Sequence, residues 1–241
     1  MIQFIQNGFR KFGIEIKKFM PGSSHMGSMQ ALLAYNQIDL VLDVGANVGQ
    51  YAQMLRACDY QGRIVSFEPL SSAHETLLKK SGGDGLWEIA PRMALGAEDG
   101  EVDINISANS VSSSIVGMLD THVQSIPASR YVARERVPLH RLDTVAPRYI
   151  GSSRDILLKI DTQGFELQVL QGARELLEKI KGLQIELSLV PLYEGETLYL
   201  DMIRKINELG FDLHGLFSTF TDITTGRMLQ ADGVFFRSGQ A

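Results

Sequence analysis

Residues 41–52 read VLDVGANVGQYA: an apolar strand pattern holding one acid, Asp43, followed by glycines at 45 and 49 where an amphipathic run begins. A strand that only had to end would need one glycine and no carboxylate. Glycine tolerates the backbone of a sharp strand-to-helix turn, so Gly45 marks the turn. Gly49 lets the start of the next helix approach a ligand with no Cβ in the way. Ligands of open α/β sheets bind there, outside the carboxyl ends of the strands. The spacing is G-x-x-x-G, which does not match the dinucleotide fingerprint G-x-G-x-x-G. A carboxylate two residues before the first glycine would repel a pyrophosphate and attract an ammonium. The stretch therefore predicts a ligand with a positive group near the turn, such as the ammonium and sulfonium of S-adenosylmethionine.

Moving outward, IDLVLDVG (38–45) reads as the first strand and VGQYAQMLRAC (48–58) as its helix. GRIVSFEP (62–69) reads as a second strand ending on Glu68, 19 residues after Gly49. An acid at that point is placed to accept both hydroxyls of an adenosine ribose, as it does in dinucleotide folds. The serine-capped run 71–80 is a helix, 86–96 a third strand, and 98–107 a hairpin-like stretch. Residues 109–130 form a serine-rich insertion and 134–145 an extended segment. DILLKIDTQGFE (155–166) is the clearest later strand, followed by a helix over 165–180, a strand over 182–190 and a helix over 196–210 that stops at a glycine. Residues 211–218 and 232–238 close the sheet as an antiparallel pair. Alternating strands and helices imply a largely parallel sheet covered on both faces. The reading is one domain over 35–241 with an N-terminal extension, 1–34, packed on it.

Composition narrows the function. A net charge of −5 and 44% hydrophobic residues fit a globular core and argue against a nucleic-acid partner, which calls for a basic patch. One cysteine, Cys58, excludes an internal disulfide or a cysteine-cluster zinc site, and a reducing cytoplasm is the expected setting. No run reaches the length of a membrane span. The opening MIQFIQNGFRKFGIEIKKFM interleaves phenylalanines with basic residues. Packing against the domain is the expected reading, and weak contact with a membrane surface the alternative. PGSSHMGSM (21–29) resembles a tag remnant, yet twenty residues precede it, so it is read as a native loop.

VLDVGANVGQYA, IVSFEP, ALG (94–96), NSVSSSI (109–115), HRLDT (140–144), LLKIDTQGFELQVLQGA (157–173), IELS (185–188) and DGVFF (232–236) follow one another in this order. So ordered, the chain resembles the FkbM-type methyltransferases over residues 35–238. The resemblance implies a class I, Rossmann-like fold: a doubly wound, mostly parallel seven-stranded sheet with an antiparallel C-terminal strand. It implies S-adenosylmethionine-dependent methyl transfer, most often to oxygen, with a sugar, glycan or natural-product hydroxyl as acceptor. It further implies cofactor contacts from Asp43, Gly45, Ala46, Asn47, Gly49, Tyr51, Glu68, Pro69, Ala94, Ser113 and Asp161. Two positions depart from the family pattern. Asn47 replaces a middle glycine common in class I enzymes, and Gln163 stands where D-x-E-G-x-E often has its first glutamate.

An alcohol needs a base or a metal to become a nucleophile at neutral pH. Asp161, at the end of its strand, is the first candidate base, with capping of the next helix as its structural alternative. His140 and His214, near probable strand ends, are the others. Were Asp161 and Glu186 to point the same way, a divalent ion such as Mg²⁺ would bridge them; a buried Glu186 paired with a lysine or arginine is preferred. Lys159 shares a strand face with Asp161 and predicts an ion pair. Tyr193 and Glu194 either contact the acceptor or turn the chain. Competing functions are N- or carboxyl-methylation, or a binding module that holds an adenosyl ligand without turnover.

Overall fold

The computed structural model describes residues 2–109, 111–126 and 129–239. Its strands are β1 (Leu40–Val44), β2 (Arg63–Phe67), β3 (Trp87–Ile89), β4 (Ala94–Leu95), β5 (Gly100–Ser107), β6 (Tyr131–His140), β7 (Ile156–Ile160), β8 (Ile180–Ser188), β9 (Phe211–Thr221) and β10 (Met228–Arg237). The longer helices are α1 (Ile2–Arg10), α2 (His25–Tyr35), α3 (Gln50–Ala57) and α4 (Ser71–Ser81). Short helices follow: α5 (Asp120–Ser125), α6 (Leu142–Val145), α7 (Pro147–Ile150) and α8 (Glu166–Gln171), before the longer α9 (Tyr199–Glu208). Seven strands form one sheet in the order β3-β2-β1-β7-β8-β10-β9, and β4-β6-β5 form a second, smaller sheet. The pairs from β3 to β8 are parallel, and β10 runs antiparallel to both of its neighbours.

The strand pleat decides which residues meet which layer of helices. Leu40, Leu42 and Val44 of β1, with Leu158 and Ile160 of β7, pack against Leu142, Val169, Leu170, Met202 and Ile206. Val41, Ile64, Leu157 and Val234 point the other way, against Met29, Leu33, Ala52, Leu55 and Leu77 of α2, α3 and α4. Asp43 shares that second face. The register aligns it with Ser66 on one side and Lys159 on the other, and Lys159 with Gln184. A polar row thus crosses four adjacent parallel strands inside an otherwise apolar layer.

Several expected elements are placed differently. The single strand over 86–96 is two: Trp87–Ile89 extends the large sheet, while Ala94–Leu95 pairs with β6 in the small one. Residues 100–107 pair mainly with 131–140 across the insertion, and their local pairing is a single antiparallel bridge from Asn105 to Ser114. The segment expected to be extended over 134–145 is a strand to His140 and turns helical at Leu142–Val145. The helix over 165–180 stops at Gln171, and Gly172 after it packs directly on the chain at Gly96: a Cβ there would lie 1.8 Å from the Gly96 carbonyl oxygen. Half of the supposed loop 21–29 is the first turn of α2, capped by Ser24 Oγ accepting from Gly27 N at 3.3 Å, and Met29 is fully buried. Helix α2 packs through Met29 and Leu33, whereas residues 5–20, also expected to pack on the domain, leave Phe9, Phe12 and Phe19 exposed.

Gly172→Ala is expected to destabilise the fold by about 1–3 kcal/mol, the usual cost of overpacking. Urea denaturation checks this, with Gly83→Ala, where a Cβ would meet open space, as the near-neutral control.

Candidate functional site

A cavity of about 370 Å³ lies beyond the carboxyl ends of β1, β2 and β7. The order of strands reverses there, since β2 and β7 flank β1 on opposite sides. This is the crevice where open α/β sheets bind ligands. The volume falls in the range of small-molecule sites. Its walls include Gly45, Ala46, Asn47 and Tyr51 from the first turn and helix, Glu68 and Pro69 from β2, and Ala94 and Leu95 from β4. Ser113 and Ser114 come from the insertion, Asp161, Thr162 and Gln163 from the end of β7, and Gln184 and Asp232 from β8 and β10.

Lys159 and Gln184 bring the polar row to the cavity, with Asp43 and Ser66 behind them. Lys159, buried, places its ammonium 3.1 Å from Asp43 and 3.4 Å from Asp161, and donates to the Gly45 carbonyl at 3.2 Å. Burial alone would pull this lysine down, but the two carboxylates more than compensate, and its pKa lies above the ordinary lysine value. Asp43, wholly buried, also accepts from Ser66 Oγ at 3.1 Å, and Trp87 Nε1 donates to the same hydroxyl at 3.0 Å. Tyr51 Oη donates to Gln184 Oε1 at 2.6 Å, and Gln184 Nε2 to Asp232 at 2.9 Å.

Three carboxylates face the cavity with unequal freedom. Glu68 accepts from the N–H groups of Asn47 (2.8 Å) and Leu70 (2.9 Å), yet burial outweighs those donors and raises its pKa to about 7. Asp232 is raised to about 6 by burial and by the charge of Asp161. Asp161 is the accessible one, its side chain 34% exposed. Helix capping, its structural alternative, is not realised: α8 starts with no side-chain cap, and Glu166 Oε1 ties the preceding turn by accepting from Thr162 N at 2.8 Å and Gly164 N at 3.2 Å. Burial raises Glu166 to about 7.

Gln163, at φ 56, clamps the back of Asp161. Its Nε2 donates to Asp161 Oδ1 and to Glu186 Oε2, both at 2.7 Å, and its Oε1 accepts from Tyr193 Oη at 2.6 Å. Glu186 was expected to pair with a cation or to share a metal with Asp161. Its partners are amides instead, from Gln163 and from Gln230 at 2.8 Å. Burial and the charges of Asp161, Glu166 and Asp232 push Glu186 well above the carboxylate range. A glutamate at position 163 would set a third carboxylate between the other two, which explains the amide. Among the described residues, no three potential metal ligands gather.

The sequence profile of the methyltransferase FkbM domain matches residues 43–213, a span that contains β1, the glycine turn, Glu68 and the Asp161 strand. The chain belongs to the FkbM methyltransferase family. It is an S-adenosylmethionine-dependent methyltransferase by family, and its sheet order is that of the class I fold. Among solved structures it is similar to magnesium protoporphyrin IX methyltransferase from Synechocystis PCC 6803 with bound SAM (TM-score 0.49, 10% identity, covering 88% of this chain and 78% of that one). It is also similar to an rRNA methylase from Streptococcus thermophilus (TM-score 0.45, 11%, 89% and 96%). A third likeness is to Aeropyrum pernix fibrillarin in complex with S-adenosyl-L-methionine (TM-score 0.46, 10%, 82% and 66%). No curated protein sequence matches the chain.

Around this FkbM methyltransferase site, four residues singled out from the sequence stand off the cavity wall. Asp43 does not line the cavity; the ammonium it was expected to attract is supplied by Lys159. Gly49, at φ 86, opens no path to a ligand, since a Cβ would strike the Trp87 ring at 2.7 Å. His140 lies on the small sheet, half-buried and 3.2 Å from Asp99. His214 is exposed on edge strand β9, against Phe236. Neither histidine lines the cavity. The histidine that does is His25, stacked on Phe217 at 4.2 Å; it falls in the segment read as a loop. Asp232 and Gln184 were also missed as site residues, and only the motif DGVFF pointed toward the former. Ser113 and Ser114 do reach the cavity, and Ser114 Oγ donates to the Gln163 carbonyl at 2.5 Å. Ser110 lies outside the described residues.

The raised carboxylates fix a pH dependence. A folded-state pKa of about 7 for Glu68 and Glu166, against about 4.5 unfolded, means that the native state binds more protons between those values. Stability therefore falls as pH rises through that window. The expected result is that the ligand-free protein is more stable at pH 5.5 than at pH 7.5 by roughly 1–4 kcal/mol. Glu68→Gln should shrink the difference in denaturation curves at the two pH values; equal stability of the parent chain at both would contradict the assignment.

Proposed function

We propose that this methyltransferase moves the methyl group of S-adenosylmethionine to a hydroxyl oxygen of a sugar, a glycan or another small natural product. One observation carries the reading: Asp161 is an accessible carboxylate at the cavity, held by Gln163 and Lys159 but not consumed by either. Such a group can accept the proton that an alcohol must lose.

The donor set suits the cofactor. Glu68, Asp161 and Asp232 face the cavity, while the nearby cation, Lys159, is already matched by buried Asp43. That leaves an excess of negative charge for a ligand bearing a sulfonium and an ammonium. Glu68 uses two of its lone pairs on backbone N–H groups, and a carboxylate has about four, so a ribose diol can still donate to it. Ala46, Asn47, Tyr51, Pro69, Ala94 and Ser113 complete the wall we assign to the cofactor. S-adenosylmethionine, when bound, supplies a methyl group on a positively charged sulfur. The chain's own part is to orient both ligands and to take a proton at Asp161 Oδ; positioning alone is worth several kcal/mol in such reactions. The same surplus of carboxylates would also hold an amine acceptor, a reading that product analysis separates. The net charge of −5 supports a small acceptor over a nucleic acid, and the buried thiol of Cys58 suits a reducing cytoplasm.

Isothermal titration should give micromolar binding of S-adenosylmethionine and S-adenosylhomocysteine and none of NADH. Asp161→Asn should keep cofactor affinity within a few-fold and lower turnover of a competent acceptor by about 10²–10⁴, the range of a lost general base. Full turnover in that variant would remove Asp161 from the chemistry.

A further inference from the structure

Residues 2–20 form a hook, and large apolar side chains between Ile5 and Met20 are exposed on it. Helix α1 ends in a tight turn in which Phe12 N and Ile14 N both donate to the Phe9 carbonyl, at 2.9 and 3.1 Å. Gly13 turns at φ 73. The chain then returns alongside the helix, tied by Gln6 Nε2 donating to the Ile16 carbonyl at 3.0 Å. The hook is rooted where Ser23 N and Ser24 N donate to the Met20 carbonyl and where Gly27 packs on the Met20 backbone.

Ile5, Phe9, Phe12, Ile14, Phe19 and Met20 are exposed on this short stretch, Phe12 by 82%. Isolated exposed apolar side chains are ordinary, but a contiguous group marks an interaction site. The charge pattern identifies the partner. Residues 1–20 carry Arg10, Lys11, Lys17 and Lys18 against Glu15 alone, a net +3 in a chain of net −5, which leaves −8 on the rest. Lysine is depleted in the cores of protein interfaces, whereas phenylalanines interleaved with lysines are the composition of segments lying in the headgroup region of an anionic bilayer. There the rings insert, and the long basic stems carry their charges to the phosphates. We infer that residues 2–20 dock this chain on an anionic membrane surface. The hook continues directly into α2, whose first residue, His25, lines the cavity, so docking sets the cavity wall close to the bilayer.

The test is co-sedimentation of the full chain with vesicles of phosphatidylcholine alone and of phosphatidylcholine with one third phosphatidylglycerol, at low and high salt. The expected result is binding to the anionic vesicles only, weakened by salt. Phe12→Glu, and separately the double change Lys17→Glu with Lys18→Glu, should each lower the partition coefficient at least about tenfold, given that each basic residue near an anionic surface contributes strongly. Circular dichroism and cofactor affinity should stay unchanged, since none of these side chains touches the core or the cavity. No binding to either vesicle, or equal binding to both, overturns the inference. So does a dimer in sedimentation equilibrium that Phe12→Glu dissociates, which would give the face to a second copy.

Discussion

The buried ammonium of Lys159 is the constraint around which the rest is arranged. It sits in the middle of the sheet, with Asp43 on one side and Asp161 ahead of it. A charge in that position is tolerable only when paired, and removing one partner of such a pair typically costs several kcal/mol. The pair explains why an acid stands in a wholly buried strand. It also joins β1 to β7 at the point where the strand order reverses, so the feature that closes the core also aims a carboxylate into the cleft. The remaining polar groups extend the row: Ser66 and Trp87 toward one edge, Gln184, Tyr51 and Asp232 toward the other.

Beyond this row the site holds more carboxylate than it neutralises. Glu68, Glu166, Glu186 and Asp232 all lie above their ordinary pKa values, chiefly because burial disfavours their charged forms and then because of nearby carboxylates, Asp43 for Glu68 and Asp161 for the other three. Side-chain amides, not cations, contact two of them: Gln163 and Gln230 donate to Glu186, and Gln184 donates to Asp232. Such an arrangement is costly for an empty protein and favourable for one holding a positive ligand. Perturbed groups gathered in one cleft are a common mark of a functional site.

Much of the fold was legible because it is written locally. Strand periodicity around Asp43, the glycine turn, the placement of Glu68 after β2 and Asp161 after β7, and the closing antiparallel pair each follow from a few neighbouring residues. What escaped depends on contacts between distant parts of the chain. Nothing near Asp43 announces that its counter-ion is Lys159. The helix ends after Gln171, where Gly172 meets Gly96, in a loop far upstream. His140 and His214 were sensible guesses from strand ends, but position along a strand does not say which sheet, or which edge, that strand joins. His25 went unnoticed because a serine- and glycine-rich stretch reads as a loop, while Ser24 in fact caps a helix.

The most direct test of the account is the pH dependence of cofactor preference. S-adenosylmethionine and S-adenosylhomocysteine differ by the methyl group and the positive charge on sulfur. If surplus carboxylate holds that charge, the affinity of the first relative to the second should fall as pH drops from 8 to 5.5, through the raised values near 7 for Glu68 and near 6 for Asp232. A ratio that does not move with pH, or tighter binding of NADH than of either ligand, would contradict it.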